Sequence, residues 1–160
     1  MAVIGSHKDF DALTLTFVAE FDAGVERVWQ VWEDPRQLER WWGPPGWPAT
    51  FDKHEFVVGG TCRYHMTGPD GTTSPGWWTI TAIEPPHRLE FDDGFAGEDG
   101  EPSDALPPTH AVVTLEAVGD RTRMTTVTTF ASLEAMEQTI AMGTEEGTVL
   151  AMNQIDEVLR

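Results

Sequence analysis

The side chains able to do chemistry are few and scattered. Five histidines, His7, His54, His65, His87 and His110, are the first candidates for a metal. No two share the i, i+4 spacing of a helical ligand pair, and none sits in a compact His/Cys/carboxylate cluster of the kind that organises zinc. No metal and no cofactor are therefore expected. Nucleophilic hydrolysis needs a serine or cysteine beside a base. The chain has no G-x-S-x-G elbow, and its one cysteine, Cys62, lacks an activating partner nearby in sequence, so Cys62 reads as a small buried hydrophobe. Acid–base work by Tyr64, Glu55 or His54 stays open, because partners can meet in space. No residue is assigned a catalytic role, and Arg63 is expected to pair with a surface carboxylate.

The residue type in excess is tryptophan, with seven beside a single tyrosine. Large rings dominate cores and binding surfaces, so where they cluster matters. Strand alternation turns Phe56, then Cys62, Tyr64 and Met66, then Trp78 and Ile80, then Leu89 and Phe91 toward one face. Trp41, Trp42 and Trp47 would close one end of that face, and Met136, Gly143 and Gly147 would cover it from a final helix. The candidate ligand-binding set is thus Trp41, Trp42, Trp47, Phe56, Tyr64, Met66, Trp78, Ile80, Phe91, Met136, Gly143 and Gly147. An apolar cavity with a few polar handles is what a small-molecule site looks like. The alternative is that these side chains simply fill the core.

The elements that must position them follow from periodicity. Asp11–Phe21 alternates as a half-buried strand. Val25, Val28, Trp29 and Trp32 recur at helical spacing, and Asp34 followed by Pro35 starts a second short helix that Gly43-Pro44-Pro45-Gly46 stops. Strands are expected over 51–58, 61–67, 77–84, 88–92, 109–118 and 121–130, with turns at Gly59-Gly60, Pro69-Asp70-Gly71, Pro85-Pro86 and Gly119-Asp120. A two-residue Gly59-Gly60 turn would set His54 opposite His65, the pair either facing solvent or making a polar spot inside the pocket. That makes seven strands in an antiparallel meander. Residues 94–108 are an acidic, Gly- and Pro-rich loop, either a lid that Phe95 and Leu106 could anchor or a disordered segment. From Ser132, an N-cap, the stripe Leu133, Met136, Ile140, Gly143, Gly147, Leu150 and Val158 describes one long amphipathic helix. Glycine on a buried helical stripe costs about 1 kcal/mol against alanine, so Gly143 and Gly147 mark either close helix–sheet approach or room for a ligand.

A chain of 160 residues suits one domain, here 1–160 with a tail at 1–10. Net charge is −17, from 27 acidic and 10 basic residues, which argues against nucleic acid and anionic membranes as partners. No run approaches the ~18 apolar residues of a membrane helix, no signal peptide is evident, and one cysteine demands no oxidising compartment, so a cytoplasmic setting is expected.

Val28-Trp29 with Trp32 and Asp34-Pro35, Leu38, Arg40-Trp41-Trp42-Gly43-Pro44, Gly59-Gly60 with Arg63-Tyr64, Pro85-Pro86 with Arg88-Leu89, Thr122-Arg123-Met124 and Met142-Gly143-Thr144-Glu145-Glu146-Gly147 together resemble the AHSA-type family. Its name comes from the activator of the ninety-kilodalton heat-shock protein ATPase, and it lies within the SRPBCC or START-like superfamily. The ordered set spans residues 11–160. The resemblance implies an α+β helix-grip fold, a curved seven-stranded antiparallel sheet around a long C-terminal helix with two short helices after the first strand. It also implies a small apolar or aromatic ligand between sheet and helix, such as a lipid or polyketide, held for transport, sequestration or protection. Two alternatives are an enzyme of the cyclase, dehydratase or hydrolase type using the same cavity, and a co-chaperone acting through its surface. Chaperone activators of this type carry a further N-terminal domain that the sequence lacks, which argues against a chaperone partner. A homodimer stays open.

Overall fold

A computed structural model describes residues 2–104 and 106–160; Met1 of the expected tail and Ala105 of the expected loop lie outside them. The described residues form one antiparallel sheet of eight strands in the order β1-β2-β8-β7-β6-β5-β4-β3. These are β1 (Val3–Asp9), β2 (Thr14–Phe21), β3 (Ala49–His54), β4 (Thr61–Thr67), β5 (Thr73–Glu84), β6 (Arg88–Phe95), β7 (Thr109–Val118) and β8 (Arg121–Thr129). The helices are α1 (Val25–Glu33), α2 (Pro35–Leu38), α3 (Leu133–Ala141), α4 (Thr144–Asn153) and α5 (Ile155–Val158). This is the expected α+β helix-grip architecture with one strand more than the seven anticipated. None of the described helices is long and apolar enough to cross a membrane.

The additional strand replaces most of the expected tail. β1 is mostly exposed and lacks clean alternation, because it is an edge strand paired only with β2. What orders it is distant in sequence: Asn153 Oδ1 accepts from the backbone N–H of Ala2 and Val3 at 3.0 and 2.9 Å, and Glu145 pairs with Lys8 at 2.7 Å.

At the opposite edge, β3 carries an irregularity between Phe51 and Lys53, with the exposed Asp52 and Lys53 beside it. The register there corrects the sequence expectation. Phe51 faces Tyr64, His54 faces Cys62 and His65 faces Thr50, so His54 and His65 are not opposed. The link is not a two-residue turn: residues 55–60 bridge the strands, and Gly59 N–H and Gly60 C=O instead pair with Ile80 at 2.8 and 2.9 Å. His54 therefore turns inward, its Nδ1 lying 3.3 Å from Cys62 Sγ, while His65 pairs with Asp52 at 3.1 Å.

Helix starts follow the expected chemistry. Asp34 Oδ1 accepts from the Arg36 N–H at 2.9 Å with Pro35 in the first turn, and Ser132 Oγ accepts from the Ala135 N–H at 3.1 Å. The single long C-terminal helix does not form. Gly143 adopts φ +82°, a left-handed conformation natural to glycine, which ends α3 and restarts the chain as α4. The break re-phases the stripe, leaving Leu133 and Leu150 exposed while Met136, Ile155 and Val158 are buried.

The core gathers where α1 and α2 meet the sheet. Trp32, Trp41 and Trp78 are almost wholly buried, and the Trp78 ring stacks on Phe91 at 4.2 Å between centroids. Burying such a ring removes about 150–250 Å² from water, roughly 4–6 kcal/mol of apolar transfer before entropy is counted.

Candidate functional site

Between the concave face of the sheet and α3–α4 lies a cavity of about 480 Å³. The loop after α2 closes one end: Gln154 Nε2 donates to the Gly43 carbonyl at 2.7 Å, tying the end of α4 to that loop. One wall is aromatic, made by Trp32, Trp41, Trp42, Trp47, Tyr64, Phe91 and Phe95. Hydroxyls from β7, β8 and the helices stud the other, with Thr109, Thr126, Thr128, Thr139, Thr144 and Thr148 lining it.

Of the twelve candidates read from the sequence, Trp41, Trp42, Trp47, Tyr64, Met66, Phe91, Gly143 and Gly147 line the cavity. Phe56, Trp78, Ile80 and Met136 do not. Phe56 sits beyond the end of β3, edge-on to Trp29 at 5.7 Å and stacked on His54 at 5.3 Å. Trp78 lies behind the lining, sealed between Phe91 and Trp42, whose ring centroid is 4.7 Å away, and Ile80 and Met136 are likewise core. The two helix glycines face open space, with no heavy atom within 4 Å of where a β-carbon would stand, which favours room over close approach. Two other glycines do the reverse. A β-carbon at Gly76 would collide with the Tyr64 ring and its hydroxyl, and one at Gly68 would fall 2.7 Å from the Trp47 ring, so each glycine lets an aromatic side chain lie across the sheet.

The polar feature of the site is Asp93, a residue missed by the sequence reading. Its Oδ1 accepts from the Tyr64 hydroxyl at 3.4 Å, and the Gly94 N–H also donates to the carboxyl. Among the described residues, no lysine, arginine or histidine lines the cavity. Burial pushes Asp93 up to about 7, only partly offset by the bonds from Tyr64 and Gly94. The same burial, reinforced by the Asp93 charge, holds Tyr64 well above the usual phenol range. Trp42 lies edge-on to Tyr64 at 5.8 Å, and the buried Thr126 hydroxyl has no hydrogen-bond partner among the described residues.

Of the other groups weighed for acid–base work, Glu55 is exposed and bonded to the Thr61 N–H at 3.1 Å, while His54 lies outside the cavity. His54 Nε2 lies 3.0 Å from the Glu33 carbonyl, which fixes a neutral ring whose bare Nδ1 accepts from the Cys62 thiol. Burial lowers His54 and pushes Cys62 up to about 12, so the pair stays neutral and the sulfur is no nucleophile.

The long loop closes the remaining side. Phe95, Leu106 and Pro107 line the cavity, and from outside Arg63 donates to the Gly100 carbonyl and pairs with Glu101 at 3.2 Å.

The family model described as activator of Hsp90 ATPase homolog 1-like protein matches residues 22–160. Among solved structures, a protein from Arthrobacter aurescens is 60% identical, covering 98% of this chain and 91% of its own, with a TM-score of 0.95. A Mycobacterium smegmatis protein is 49% identical over 99% of this chain and 97% of its own, with a TM-score of 0.92. CalU16 from Micromonospora echinospora, 21% identical over 91% of this chain and 75% of its own with a TM-score of 0.57, shares the fold alone. No curated protein matches the chain.

Proposed function

We propose that this chain, which belongs to the activator of Hsp90 ATPase homolog 1-like family, holds a small hydrophobic or aromatic molecule under α3 and α4 for transport, sequestration or protection. The observation that carries this is the cavity of about 480 Å³, walled by indoles and left open at Gly143 and Gly147. Its volume falls within the roughly 300–1,000 Å³ of small-molecule sites. Apolar area supplies the affinity and the hydroxyl wall sets orientation. Trp41, Trp42 and Trp47 line the cavity, so a bound ligand changes their emission. Titration against fatty acids, sterols and polyketides should give a saturable change with at least one class. The change should be lost in Gly147→Leu, which puts a side chain into the void. Silence from every class overturns the proposal.

A second reading draws on Asp93 and Tyr64, which converge inside the cavity at 3.4 Å. A carboxyl titrating near neutral beside a phenol is equipped to move a proton to or from a bound molecule, as a cyclase or dehydratase requires. Mass spectrometry of ligand recovered after incubation distinguishes the two: an altered ligand from the wild type but not from Tyr64→Phe supports catalysis, and an unaltered one supports simple holding.

A further inference from the structure

Glu20, Glu39, Glu90 and Glu145 are partly buried like Asp93, and each has a cationic partner: Arg123 at 2.9 Å, Arg36 at 3.4 Å, Arg88 at 2.8 Å and Lys8 at 2.7 Å; Asp9, Asp34 and Asp156 are partly buried without an ion pair among the described residues, but they lie outside the cavity. Among the described residues Asp93 forms no ion pair and is the only Asp or Glu lining the cavity. An unpaired acid inside an apolar enclosure is costly, and the aromatic faces around it are of the kind that attract a cation. The chain's net charge of −17 adds a long-range pull on positive solutes. On the reading that the cavity is a binding site, we propose that its ligand is an amine carried on an aromatic or alicyclic ring system, the protonated nitrogen pairing with Asp93 and the rings lying against Trp41 and Trp42. A carboxylate would meet Asp93 as a like charge with no cation to receive it.

The pairing makes uptake pH-dependent, and the groups that could interfere are few. Tyr64 from β4 faces Asp93 directly. Thr109, its register partner on β7, and Thr139, Thr144 and Thr148 from the helices carry no charge. His110 and Glu90 belong to an ion-paired group with Asp92, whose side chain points to the opposite face of β6.

The test is calorimetric titration with three compounds sharing one ring system: naphthylmethylamine, naphthylmethanol and naphthoate. The amine should bind at least about tenfold tighter than the alcohol at pH 8, with naphthoate weakest. Below pH 7 its affinity should fall about tenfold per pH unit as Asp93 takes up a proton, while the alcohol's stays flat. Asp93→Asn should remove the amine's advantage and its pH dependence, with circular dichroism verifying that the variant is folded. Equal binding of amine and alcohol, or an amine indifferent to Asp93→Asn, overturns the assignment while leaving cavity binding intact. Failure of all three compounds to bind overturns the assignment, and only silence in the fluorescence titration as well overturns cavity binding.

Discussion

The concave face of the sheet is treated differently at its two ends. Under α1 and α2 the rings touch: Trp32 lies edge-on to Trp41 at 4.7 Å, Trp78 stacks on Phe91 at 4.2 Å, and Cys62 and Ile80 fill what is left. Under α3 and α4 the same face meets two glycines with open space over them, a row of threonines and a void. One sheet thus carries a filled end that supplies stability and a hollow end that does not. Trp32, Trp41, Trp42 and Phe91 belong to both, one side in the aromatic cluster and the other on the cavity. The filled end can therefore hold the cavity wall rigid at no further cost in ordering.

Substitutions at the two ends should consequently differ in sign as well as size. Trp78→Ala, at the filled end, should lower the unfolding free energy by about 3–5 kcal/mol in urea titration. A loss no larger than that of Trp47→Ala, at the half-buried mouth, would break the contrast. Gly76→Ala should cost roughly 1–3 kcal/mol by the same measurement, because its methyl displaces the Tyr64 ring. An unchanged midpoint would show that the ring shifts freely and the wall is softer than its packing indicates.

Asp93 gives a pH test. The folded chain keeps this proton to about pH 7 and the unfolded chain releases it near 3.8, so the folded state binds more protons between those values. Its contribution is fully present below 3.8 and is lost as pH rises through 7. After allowance for residual exposure, wild type should lose about 1–2 kcal/mol relative to Asp93→Asn between pH 4 and pH 8. Parallel pH profiles for the two proteins would place Asp93 in a wetter setting than the cavity. The smallest effect should be a gain. Gly147→Ala adds a methyl where nothing lies within 4 Å and removes glycine's helical cost, so thermal unfolding should show about 0.5–1 kcal/mol of added stability. A loss there would mean that the hollow end is packed after all.

Most of the architecture was legible because it rests on local chemistry: Asp34 and Ser132 as caps, Pro35 in a first turn, and strict alternation along β2 and β8. What was missed depends on partners remote in sequence. β1 reads as a polar tail because Asn153 and Glu145, which order it, come some 140 residues later. His54 is not opposite His65 because register follows the true length of the connection, which runs from 55 to 60 and pairs Gly59 and Gly60 onto Ile80 of β5 instead of making a two-residue turn. Asp93 is within reach of the sequence: the parity that turns Leu89 and Phe91 inward continues to Asp93 and Phe95 once β6 runs to Phe95 and not to Asp92. Trp78 and Ile80 had the correct parity and the wrong depth, since alternation decides which face a side chain joins but not whether another ring covers it.

The irregularity in β3 bears on how copies of this chain meet one another. A flat, unpaired rim would offer a docking edge to any neighbouring strand and seed open-ended polymers. Here the outermost strand is bent at Asp52 and studded with a charge of each sign, so the rim presents no straight ladder for a second molecule to extend. The protein can in this way be concentrated without zipping into fibres through that side.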